Sequence, residues 1–281
     1  MRRGGGVSAA AVALGTVASF AVVVPARAQE AAPALRLPVP EAQRPLTLPQ
    51  LVASPALDFQ VDHRAAAGNF VNLDVTARIG LTDDLMLHAD VAPLQLWAPG
   101  GGLTYGQPYL SRGPGAGAAY RFVRGLVEVA GNLGGRVFTV PGISGGSITA
   151  LLPVRVHATG SLRLDAVPQV EFVLAHDTAT SASANSTRVA VPLQLLANVT
   201  RELDLGFGTG LTIYDVGDAA DTTGIPLGFF LGYAAPGAQG PLLDVDPFFD
   251  FPYLIMPGRR TQTTNAQQYQ VGVTLTVYLY L

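Results

Sequence analysis

The chain has 281 residues, with 17 basic and 20 acidic side chains for a net charge of −3, an apolar content of 49 % and no cysteine. Every base is an arginine, and they are scattered, so no basic stripe is available to hold nucleic acid. Without cysteine there is no disulfide framework and no thiolate metal site.

Arg2 and Arg3 precede an apolar run from Val7 to Val24, then Ala26-Arg27-Ala28 and the polar Gln29. A basic start, an apolar centre and small residues three apart make an export signal with cleavage after Ala28. Removing residues 1–28 takes away Arg2, Arg3 and Arg27, leaving 14 bases against the 20 acids. Beyond residue 28 no apolar run is long enough for a membrane helix. Residues 29–52 carry Pro33, Pro38, Pro40, Pro45 and Pro49 and show no period. That composition resists helix and ladder and reads as an extended N-terminal tail, free in the periplasm.

From Leu57 the apolar residues alternate with polar ones, the period of a β-strand. Tight polar corners recur at Thr82-Asp83-Asp84, Arg124-Gly125, Gly160-Ser161 and Thr200-Arg201-Glu202. Each is flanked by two alternating segments, which makes it a hairpin corner. Between the corners lie longer connections at 95–115, at the Gly-rich 134–148, at the Ser- and Thr-rich 175–187 and at 215–224, which holds Asp215, Asp218 and Asp221. Short turns on one side and long loops on the other are the asymmetry of a membrane β-barrel. The spacing predicts strands near 54–62, 69–81, 84–94, 115–123, 126–134, 149–158, 161–174, 188–199, 203–214, 225–235, 241–255 and 268–281. The expected fold is therefore all-β, a transmembrane antiparallel up-and-down barrel of about twelve strands over residues 53–281, with ten or fourteen as neighbouring solutions. Pro153, Pro168, Pro192, Pro226, Pro247 and Pro252 fall in or beside these strands, and each removes a ladder donor that a closed barrel needs. Bulges or strand ends are expected there. A secreted soluble β-sandwich also alternates, with its apolar side inward, but its strands average five or six residues.

The last segment splits most cleanly. Tyr269, Val271, Val273, Leu275, Val277, Leu279 and Leu281 share one face, and Gln270, Gly272, Thr274, Thr276, Tyr278 and Tyr280 the other. Through Gln270, Gly272, Leu275 and Val277 it resembles the carboxy-terminal insertion strand of bacterial outer-membrane β-barrels, although that family usually closes on Phe where this chain has Leu281. The hairpin from Ile79 to Leu87 is also similar to those of porin-like proteins, including the outer-membrane transporter family associated with phenol degradation. These resemblances imply residence in the bacterial outer membrane, contact with its lipid and lipopolysaccharide, delivery by the barrel assembly machinery and passive passage of small solutes, apolar or aromatic ones included. A barrel enzyme acting on lipid, or a purely structural barrel, are the alternatives.

With the apolar phase of each strand outward, the inward set includes Asp74, Arg78, His88, Asp90, Glu128, Arg155, His157, Arg163, Asp165, Arg188, Gln194, Asp204, Asp244 and Asp246 as lumen-lining candidates. Extended to every strand, that phase puts 11 acids, Asp58, Glu171, Glu202 and Asp250 among them, against five arginines, Arg121 being the fifth. An acidic excess in a narrow pore favours cations. His176-Asp177 heads a loop with Ser181, Ser183, Asn185 and Ser186, but no motif brings a nucleophile and base together there, so no catalytic residue is assigned. His63, His88, His157 and His176 lack ligand spacing, and no metal or cofactor is implied.

Overall fold

The computed structural model describes residues 37–64, 68–98, 113–140, 143–177, 185–213, 216, 223–255 and 268–281. The strands are β1 (Val52–Arg64), β2 (Gly68–Gly80), β3 (Leu85–Ala98), β4 (Gly115–Val123) and β5 (Val127–Val140). Next come β6 in two halves (Ile143–Leu151 and Val154–Thr159) and β7 in two halves (Leu162–Ala166 and Gln169–Asp177). The circuit continues with β8 (Ser186–Asn198), β9 (Leu203–Ile213), β10 (Thr223–Pro236) and β11 (Pro241–Ile255), and ends with β12 (Gln268–Val277 and Leu279–Tyr280). Each pairs antiparallel with its neighbours, and β12 returns to β1 through Ala56↔Thr276 to Arg64↔Gln268, so a single sheet closes on itself. The barrel has twelve strands. One closed sheet also rules out the two-sheet sandwich.

Pro153, Pro168, Pro192 and Pro226 sit where a ladder is interrupted or shifts, whereas Pro247, expected at a bulge or strand end, keeps a regular register with Val273. Leu152-Pro153 separates the halves of β6 and Val167-Pro168 those of β7. The missing donors are offset by the carbonyls, which stay in use: Ala130 N donates to Pro153 O, Leu152 N to Pro168 O at 2.8 Å and Val167 N to Pro192 O at 2.9 Å. At Pro226, with Pro252 opposite, the register between β10 and β11 shifts from Ile225↔Ile255 to Leu227↔Phe251. Cross-strand partners share a face of a sheet, and the register carries one continuous inner set around the barrel, for example Asp244, Thr276, Ala56, Thr76, Asp90, Gly115 and Arg136 in successive strands. The alternate positions carry large apolar side chains that are exposed on the outside, such as Leu133 at 62 % and Leu174 at 56 %. The polar side is inside.

Two expectations need correction. The Gly-rich stretch 134–148 is not a long connection, because β5 and β6 continue their ladder to Val140↔Ile143. Its glycines conceal the alternation of inner Arg136 with outer Val137, which is 57 % exposed. The second correction concerns residues 37–51, expected as a free tail. They are folded, with a 3₁₀ turn at Glu41–Gln43, and Leu37, Val39, Ala42, Arg44 and Thr47 are each buried. The small apolar core of the molecule, Leu37, Val52 and Tyr278 with Leu48 and Tyr280 against them, lies at this segment. The export signal, residues 99–112, 178–184 and 256–267, and Asp215, Asp218 and Asp221 lie outside the described residues.

Candidate functional site

The inner wall encloses a cavity of about 770 Å³. Of the fourteen expected lining residues, Arg78, Arg155, Arg163, Asp165, Arg188, Gln194, Asp204, Asp244 and Asp246 border it. The other five sit elsewhere on the inner face. His88 Nε2 lies 3.0 Å from Asn132 Oδ1, Asp90 pairs with Arg136, and Glu128 accepts a hydrogen bond from Arg121 at 2.9 Å. His157 Nδ1 donates to Ala42 O at 2.7 Å, and Asp74 stands opposite Asp58 in the β1–β2 register.

Charge is unevenly distributed around the bore. From β3 to β7 arginines are matched by carboxylates no more than two strands away, Arg136 on β5 reaching across β4 to Asp90 on β3. Arg155 grips Asp165 through two bonds of 2.8 Å, and Arg163 Nε lies 3.0 Å from the same carboxylate. Strands β9 to β12 are different, for they carry Asp204, Asp244, Asp246 and Asp250 and no arginine. The guanidinium that reaches this acidic arc comes from the N-terminal segment. Arg44 donates through Nη2 to Asp244 Oδ1 at 3.0 Å and through Nη1 to Asp244 Oδ2 and to Tyr278 Oη at 2.9 Å. Its carbon Cζ sits 5.3 Å from the centre of the Tyr278 ring, within cation–π range.

That segment forms a floor across the short-turn end of the lumen. Leu37 packs at β11 and β12. Glu41 takes a 3.0 Å bond from Arg163 on β7, and Ala42 N donates to Asn198 Oδ1 on β8 at 2.7 Å. Arg155 on β6 donates to the carbonyls of Arg44 and Pro45. Leu46 N donates to Glu128 on β5, Thr47 Oγ1 to Asp83 O at 2.7 Å, and Leu51 N to Gly80 O on β2. Strands β5 and β11 lie half a circuit apart, so the chain crosses the full bore. Burial raises the Glu41 pKa, but Arg44, Arg163 and Arg155 lower it by more, and the carboxyl ends below its usual range. Burial works against the Arg44 charge, which Glu41 and Asp244 more than restore, so its pKa is raised.

Higher on the acidic side, two aromatic rings point inward. Phe230 lies over Gly206 of β9, and Phe248 over Gly272 of β12, with no room for a Cβ at either glycine. Both rings border the cavity beside Asp246 and Asp250. Residues 41 and 44, the two rings and Arg136 were missed by sequence reasoning. For Arg136 the parity of residues 136 and 137 carried the signal.

No protein-family model matches the chain, and no curated protein sequence matches it. Among solved structures it is similar to the NanC porin, at 11 % identity over 79 % of this chain and 100 % of that one, with a TM-score of 0.56. The fold is that of a porin barrel. The KdgM porin aligns at 8 % identity over 79 % and 98 % of the two chains with a TM-score of 0.46. The translocator domain of the autotransporter NalP from Neisseria meningitidis aligns at 10 % identity over 82 % and 87 %, with a TM-score of 0.47. Within the porin fold, His176 and Asp177 fall at the end of β7, where their backbones pair with Ser144 and Ile143.

Two outcomes follow for this barrel. Gly206→Ala should push the Phe230 ring off the wall and cost about 1–3 kcal/mol of folding free energy, as overpacking does. Urea unfolding in detergent should show that loss, and show less of it when Phe230→Ala is added. Because the Glu41 pKa is lowered, its contribution to seating the floor is full above the ordinary glutamate value of about 4.3 and is lost only as pH falls through the lowered one. Amide protection factors for residues 42–47 should therefore be alike at about pH 5 and about pH 7. A fall across that interval would contradict the pairing.

Proposed function

We propose that the protein is a bacterial outer-membrane channel for small polar solutes, with a preference for cations. The observation that carries this reading is a closed barrel, apolar outside, around a charge-lined cavity of about 770 Å³. Backbone polar groups in hydrocarbon must be satisfied internally, and closure does this. The outer belt meets lipid and lipopolysaccharide, and β12, with its apolar outer face, serves the assembly machinery. By the asymmetry of such barrels the short turns and the floor face the periplasm, and the cavity opens toward the long loops. Cation preference rests on the cavity's acids, Glu41, Asp165, Asp204, Asp244, Asp246 and Asp250, exceeding Arg78, Arg155, Arg163 and Arg188. A polar wall favours hydrated solutes over the apolar ones that the transporter resemblance implies, while the two inner phenyl rings leave a place for an aromatic group.

Reversal potential across a salt gradient in a planar bilayer tests the selectivity. A shift toward the cation potential is expected, and an anion-selective current would overturn the assignment. The facing of the strands is tested by a pair of substitutions. Leu195 is outward and Gln194 borders the cavity, and an arginine on the lipid face at the bilayer midplane costs about 2–4 kcal/mol. Leu195→Arg should hinder assembly, read as loss of heat-modifiable mobility on gels, and Gln194→Arg should not.

A further inference from the structure

We propose that residues 37–51 are a gate built into the chain, closing the short-turn mouth of the channel, and that Arg44 is the latch that holds it shut. The proposal rests on the channel reading and adds to it a mechanism of opening.

The argument starts from what the segment is made of. It has only a single 3₁₀ turn and no place in the barrel ladder, although it lies among strands. Its attachment is by side chains. The wall groups that hold it, Asn198, Arg163, Arg155, His157, Glu128 and Asp83, come from strands and turns that pair with each other independently of it. The barrel is closed by β1–β12 pairing, so withdrawal of the segment breaks no barrel ladder beyond the Leu51 hydrogen bonds at its root, to Gly80 and from Leu281. Removing the floor therefore opens the bore without unfolding the barrel.

Arg44 is singled out by its position. It is 5 % exposed, and its fork engages Asp244 on the wall while folding the segment on itself through the carbonyls of Pro38 and Val39 and through Glu41. Glu41 in turn reaches Arg163 on the opposite wall. One guanidinium thus bridges the acidic arc, the 3₁₀ turn and, through Glu41, the arginine side of the bore. Taking it away leaves Asp244 buried without its cationic partner and unties the two walls together. Breaking a buried charge pair from one side is strongly destabilising, and the destabilised element here is the segment, which lacks ladder bonds of its own.

The lack of native cysteine makes a direct test practical. Thr47→Cys places a unique thiol where the wild-type side chain is 1 % exposed, and Arg201→Cys, in a separate parent, places one in the exposed β8–β9 turn as a reference. With the full-length protein in detergent and in bilayers, a membrane-impermeant maleimide should label the floor thiol far more slowly than the turn thiol. Adding Arg44→Ala to Thr47→Cys should speed labelling of the floor thiol about a hundredfold, through local opening of a segment that has lost a buried pair, and should raise single-channel conductance severalfold. Adding Arg201→Ala instead, which removes the same charge at the same mouth, should do neither. If the Arg44→Ala variant fails to assemble, Arg44→Lys keeps the charge but not the two-pronged fork and should give the same changes in smaller measure. Labelling of the floor thiol as fast as the turn thiol, with Arg44 intact, would overturn the proposal. So would faster labelling with unchanged conductance in a protein that conducts. Absence of current with and without the latch, with labelling accelerated, would sink the channel reading and leave the latch standing.

Discussion

Closure of the backbone ladder is the constraint from which the rest of the structure follows. A strand placed against hydrocarbon cannot leave amides or carbonyls unpaired, since each unmet group costs several kcal/mol there. This chain meets the demand with twelve strands in one circuit, and places Pro153, Pro168 and Pro192 at breaks where their carbonyls still accept. The two halves of β6 and β7 are the visible result. Pro153 and Pro168 interrupt neighbouring strands at the same height, so one interruption serves both.

Once closure has sent the apolar side chains outward, every charge must be handled inside. The β3–β7 side does so within the wall, by Arg121 with Glu128, Arg136 with Asp90 and Arg155 with Asp165. The β9–β12 side has carboxylates alone and receives its guanidinium from outside the barrel sequence. A segment whose Leu37 and Leu48 pack against Val52, Tyr278 and Tyr280 is thus held as well by the charge imbalance of the wall. That imbalance is also what gives the lumen its expected preference for cations, so the two properties share one origin.

The barrel was legible because a strand with one face in lipid and one in water alternates strictly. Tyr269–Leu281 shows this in its purest form, and corners such as Thr82-Asp83-Asp84 mark where the alternation resets. The facing of Arg155, Asp165, Asp204 and Asp244 followed from parity alone. Residues 134–148 were harder, because glycines fall on both faces there, Gly134 and Gly145 inward and Gly135 and Gly146 outward, and none has a side chain with which to declare a phase. The floor was not legible at all. Its irregular backbone has no period, and the meaning of Glu41 and Arg44 depends on partners that only the closed barrel brings near. The unmatched acids of β9–β12 were the available sign that a base had to arrive from elsewhere.

The contact between Arg44 and Asp244 spans 200 positions of sequence, and this separation bears on the order of folding. The groups that receive the segment come from β5, β6, β7, β8, β11 and β12, so its seat does not exist until the last strand has joined the first. Loop-closure entropy sets such distant contacts late. Seating of the floor is then the final step of folding, and the immediate precursor is a complete barrel with its mouth uncovered. Each molecule passes once through the unlatched form on its way to the native state, so that form is a station on the folding route as well as a product of later opening.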